Sequence, residues 1–248
     1  MTFQNAHPSD TASSSLDTSQ RYLLGGLLLA AALLSFLPIA ILGPAIGWPA
    51  SLRLPAAQQL AAIAGAPIAV ALGYAVYLLY SVLILPVMTL LAWRCSGSLG
   101  RPIAAMVVTF AALSVLARSV GILRWLTTMP PMARQHAVAD LAGKQMLEAI
   151  FTAITTYGGG IGELLGVSLF MALSLGLAML AAWTGKTLPR WLAAFGMVSA
   201  LLLLALFLPT VGVALQVPIA VAATTLAVWM LAAGIVVTFN SKKMHQAP

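Results

Sequence analysis

Six apolar stretches dominate this sequence, and they leave little choice of solvent. They lie near 22–43, 67–93, 102–129, 160–183, 189–209 and 217–239. Each reaches the ~20 residues that an α-helix needs to cross a hydrocarbon core. In lipid the backbone must satisfy its own hydrogen bonds, so uncharged stretches of this length fold as helices. The charge content agrees. Only 7% of residues are Asp, Glu, Lys or Arg, against about 25% in soluble domains. The expected architecture is all-α, a polytopic transmembrane bundle of about six spans, with the lipid bilayer as its first partner.

The net charge of +7 does not point to nucleic acid, because the basic residues stand singly or in pairs at the ends of apolar runs. Membrane topology and anionic lipid account for that placement. Cys95 is the one cysteine, so no intrachain disulfide forms. His7, His136 and His245 all lie outside the apolar runs. That argues against a bis-histidine haem or a histidine metal site within the bilayer. No HExxH, CxxC, GxSxG or GxxxxGK[ST] motif occurs. No cofactor is therefore expected.

Along the chain, residues 1–20 are polar and read as a disordered tail. The run near 22–43 is too long for a signal-peptide core and is expected to remain as a span. Three prolines and Trp48 break the helix between Gly43 and Pro55, and Ala56–Ala66 suits a short helix. Tyr74, Tyr77 and Tyr80 recur every three residues in the second span, as a packing stripe in preference to a ligand-stacking face. Pro130 and Pro131 stop the third span, and Met132–Lys144 reads as a polar linker. Helix resumes near Gln145, with Glu148 close to its start, until Gly158, Gly159 and Gly160 interrupt the pattern. The 241–248 tail is basic. Six spans put both termini on one side. Arg21, Arg94, Arg101, Lys186, Arg190, Lys242 and Lys243 fall on that side, and Arg53, Arg134 and Lys144 on the other. This bias makes both termini cytoplasmic.

Three charges break the pattern. Counted from the inner ends of their spans at ~1.5 Å per residue, Arg118 lies about 24 Å up, Arg124 about 33 Å and Glu163 about 30 Å. A charge at bilayer depth costs at least a few kcal/mol, so it has a partner or a purpose. Arg118 and Arg124 are six residues apart and cannot share a helix face. Only one of them can meet Glu163 directly. A structural clamp and a ligand site both suit an Arg–Glu pair here. The glycines beside Glu163 also have two readings. A broken helix would expose amides to an anion. Alternatively Gly158, Gly162 and Gly166, spaced by four, form a small-xxx-small packing face. Such a face would also suit a homo-oligomer.

The segments Gly121-Ile122-Leu123-Arg124-Trp125, Tyr157-Gly158, Gly162-Glu163-Leu164-Leu165-Gly166 and Leu188-Pro189-Arg190-Trp191-Leu192 occur in this order, followed by Gly196. In these the chain resembles the bacterial membrane-protein family catalogued as domain of unknown function 4386. The resemblance implies an integral membrane protein of six or seven helices, and it draws Arg124, Trp125 and Glu163 together as a shared feature. The expected function is a non-enzymatic, multi-pass protein of the bacterial cytoplasmic (inner) membrane. An outward-facing pocket around Arg118, Arg124, Trp125 and Glu163 would bind a small-molecule or lipid-like ligand or serve a small transporter. A membrane-embedded lipid-modifying enzyme, using Glu163 and His136, and a structural or assembly subunit are the alternatives.

Overall fold

In a computed structural model, residues 18–215 and 217–239 are described, apart from the side chains of 96–99. The two polar tails expected at 1–20 and 241–248 lie outside these residues, except that Thr18–Gln20 already belong to the first helix. No strand occurs among the described residues. Helices α1 (Thr18–Ile46), α2 (Ala56–Gly65), α3 (Pro67–Cys95), α4 (Gly100–Val138), α5 (Leu141–Gly185), α6 (Arg190–Ala205) and α7 (Ile219–Phe239) follow in order. Five of these, α1, α3, α4, α5 and α7, are long and apolar enough to cross a membrane. Helix α6 has 16 residues. At ~1.5 Å per residue it covers about 24 Å, and the 3-10 turn Leu208–Val211 continues beyond it.

Glycines set how closely these helices approach. A Cβ on Gly25 of α1 would collide with Thr238 and stand 3.3 Å from the Gly234 carbonyl of α7. A Cβ on Gly234 would stand 2.8 Å from the Leu29 side chain. The start of α1 therefore lies against the end of α7, at one end of the bundle. The Arg94 guanidinium donates to the Thr187 carbonyl (3.4 Å) at that same end, joining the α3–α4 and α5–α6 turns. Gly100, with φ 78°, makes the α3–α4 turn in a conformation that suits glycine.

Two expectations from the sequence are corrected. The triple glycine does not break the helix, which continues on both sides of residue 160. Helix α5 runs unbroken for 45 residues, from Leu141 to Gly185. It widens to a π-helix over Gly160–Phe170 and narrows again. Nor is Met132–Lys144 a linker. Pro130 and Pro131 fall in the first turn of a helical segment Met129–Val138, where a missing N–H costs nothing. Only Ala139 and Asp140 separate it from α5, and the Asp140 carboxylate accepts from the Gly143 amide (2.8 Å) as an N-cap.

The α4–α5 hairpin is consequently longer than a bilayer is thick. Helix α4 has 39 residues, about 58 Å at ~1.5 Å each, against a core of ~30 Å. Its far half packs with α2, and with Leu42 of α1 and Tyr74 of α3, around a second apolar core that includes Leu60, Ile63, Trp125, Met129, Met132 and Phe151. The larger core lies between the spans, on residues such as Leu28, Ile84, Leu175 and Trp229.

Candidate functional site

The three glycines at 158, 162 and 166 form one face of α5, turned towards α4. A Cβ on Gly121 would stand 2.7 Å from the Gly162 Cα, so these two backbones touch. Either side of that contact, the glycines make room for arginines. A Cβ on Gly166 would stand 2.9 Å from the Arg118 Cγ, and one on Gly158 would overlap the Arg124 guanidinium. The packing and charge features therefore form one ladder. The Ser114 hydroxyl donates to the Gly166 carbonyl (2.6 Å), inside the π-helical segment. The Ser174 and Ser168 hydroxyls likewise donate to the Val107 carbonyl (2.8 Å) and the Leu203 carbonyl (2.5 Å). Such hydroxyls satisfy carbonyls where no water reaches.

Arg118 and Arg124 leave this ladder in different directions, as their spacing requires. Arg118 is 3% exposed. Its guanidinium lies over the Tyr80 ring, 5.6 Å from the centroid, and its Nε and Nη1 have no hydrogen-bond partner. Tyr80 stacks on Tyr77 (6.2 Å), and Tyr77 meets Trp48 edge-on (6.1 Å). The tyrosine stripe thus packs between helices as expected, and it also carries one face of a cavity. That cavity, of about 80 Å³, is lined by Arg118, Tyr77, Tyr80 and Trp48, with Ser35 from α1 and Thr224 from α7. Val167 of α5 and Leu203 of α6 also line it, so the five long apolar helices and α6 all contribute.

Arg124 lies over the ring of its neighbour Trp125 (5.4 Å), and its Nε and Nη1 also lack partners. Glu163 is on the bundle surface, within electrostatic range of Arg124. The two do not form a contact ion pair, because the one pair within 4.0 Å among the described residues is His136–Glu148 (2.8 Å). Trp125 itself is buried and stacks flat on Tyr74, with centroids 4.8 Å apart. Neither Arg124, Trp125 nor Glu163 lines the cavity. The four residues singled out in the sequence therefore sit at two places. Arg118 faces the cavity, whereas Trp125 packs in the core shared with α2 and Arg124 lies over its ring, within electrostatic range of the exposed Glu163.

Ser35 and Thr224 carry no sequence signal as cavity residues, since hydroxyls are common in spanning helices. His136 is held by Glu148 across the α4–α5 hairpin, where the pair joins its two sides. Among the described residues no three His, Cys, Asp or Glu side chains gather as a metal site. No curated protein and no solved structure matches the chain. The model of a family described as a domain of unknown function, DUF4386, matches residues 9–234, and the chain belongs to that family.

Proposed function

We propose that this chain is a non-enzymatic, multi-pass protein of the bacterial cytoplasmic membrane that binds a small or lipid-like ligand in the cavity beside Arg118. The observation that carries the reading is the arginine itself. A cation buried without a hydrogen-bonding partner costs several kcal/mol. Arg118 lies in that state at the wall of the cavity to which the five long apolar helices and α6 contribute. A ligand that accepts hydrogen bonds from it supplies what the fold leaves out. The positive-inside bias places both termini in the cytoplasm, so the α2 module and the hairpin tip face outwards. The cavity then lies in the outer half of the bilayer.

Thermal unfolding of the purified chain against a panel of small anions and lipids tests the reading. A raised melting temperature with at least one ligand, lost on Arg118→Gln, is the expected result. No stabilising ligand across the panel would overturn it.

A further inference from the structure

We infer that the Arg118 cavity takes the anionic headgroup of a membrane-resident amphiphile, a phosphate or carboxylate whose acyl chain leaves sideways between α1 and α7. This rests on the binding role proposed above and adds the ligand's chemistry and its route. Three observations converge on it.

The first is charge. Arg118 is the cation at the cavity wall, and its Nε and Nη1 donors are unused. A planar guanidinium matches the paired oxygens of a carboxylate or phosphate. Thr224, from α7, offers a hydroxyl to a further oxygen, whereas the Ser35 hydroxyl already donates to the Ala32 carbonyl (2.7 Å).

The second is size. A water needs about 10–15 Å³ of such space, so the cavity of about 80 Å³ holds an oxyanion and its first carbons. It cannot hold a lipid. The rest of an amphiphile has to lie outside, and the remaining lining is apolar: Phe36, Pro38, Ile39, Ala223, Leu226 and Ala227.

The third is where the cavity opens. Phe36 and Ile39 on α1, and Ala223 and Thr224 on α7, line it and are themselves exposed. Counted from Arg21 and from Phe239, these positions stand ~22–27 Å above the end where α1 starts and α7 finishes. Arg118, counted from Arg101, stands at ~25 Å, the same level. Helices α1 and α7 touch lower down, at Gly25, Leu29 and Gly234, and the gap between them opens at the level of the arginine. It faces lipid, just inside the headgroup boundary of a ~30 Å core.

Native mass spectrometry of the full chain in detergent tests this with four probes: phosphatidylglycerol, phosphatidylcholine, palmitate and inorganic phosphate. The wild type should prefer phosphatidylglycerol or palmitate over phosphatidylcholine by about tenfold or more, as one charge-assisted contact provides. Arg118→Gln should abolish that preference. Ala223→Trp, which fills the mouth and keeps the charge, should also abolish it, and it carries the test if the arginine variant does not fold. A preference that survives in Ala223→Trp would place the lipid at the basic end of the bundle and overturn the inference. Binding of inorganic phosphate in place of either amphiphile would overturn the lipid route while leaving a ligand-binding protein. No binding of any probe, with stabilisation by some other ligand in the thermal panel, would overturn the anionic chemistry alone.

Discussion

Arg118 and Gly121 sit one turn apart on α4 and face the same strip of α5, yet their substitution should have opposite consequences. At Gly121 there is no room. A Cβ there would stand 2.7 Å from the Gly162 Cα and 3.0 Å from the Gly158 carbonyl, both backbone atoms that cannot swing aside. Gly121→Ala should lower stability by about 1–3 kcal/mol, the usual range for overpacking. Gly160→Ala, on the same stretch of α5 with nothing within 4 Å of its Cβ, should be neutral or stabilising by up to ~1 kcal/mol. Thermal unfolding of both variants in detergent separates them. Equal losses would show that the α4–α5 ladder is not the tight contact described here. Arg124 and Glu163 need a different measurement, a double-mutant cycle on Arg124→Gln and Glu163→Gln. Because the two charges interact without touching, their coupling energy should stay below ~1 kcal/mol. A coupling of several kcal/mol would mean that they close into a clamp.

At the scale of elements, α5 shows both what the sequence discloses and where it misleads. The spacing of Gly158, Gly162 and Gly166 reveals a packing face, and the structure places that face on α4. Three adjacent glycines also resemble a helix break. They are not one, because neighbours on α4 hold the backbone helical on both sides. The widened π segment still satisfies its carbonyls, one of them through Ser114. No local propensity rule carries that information, since the partner is about fifty residues away in sequence. Ser114→Ala should therefore cost about 1–2 kcal/mol, more than an exposed serine would, by leaving the Gly166 carbonyl unpaired. Hydrogen exchange across Gly160–Phe170 should rise in that variant, and unchanged exchange would show that the hydroxyl is dispensable. Pro130 and Pro131 misled in the same way. Paired prolines end one helical segment and begin the next equally well, and what lies beyond decides which.

For the molecule as a whole, the apolar runs alone were enough to specify an all-helical membrane bundle, because lipid permits so little else. The short helix α2 was legible at Ala56–Ala66, but its packing with the α4–α5 hairpin was not, since these helices are shorter or more polar and depend on one another for burial. The orientation of that hairpin can be measured directly. In a Cys95→Ser background, Asp140→Cys should react with an impermeant maleimide from outside intact cells, and Lys186→Cys only after permeabilisation. The reverse pattern would invert the topology and place the cavity in the cytoplasmic leaflet. The cavity was legible only through Arg118, since no sequence pattern shows that six helices leave a space at one depth. The central claim is that this arginine is held for a ligand and not for the fold. Unfolding of the delipidated Arg118→Met variant addresses it most directly. If the buried cation is uncompensated in the empty protein, its replacement by an apolar side chain leaves stability unchanged or raises it. A fall of about 3–5 kcal/mol, the cost of breaking a buried pair, would show that Arg118 is structural and contradict the account.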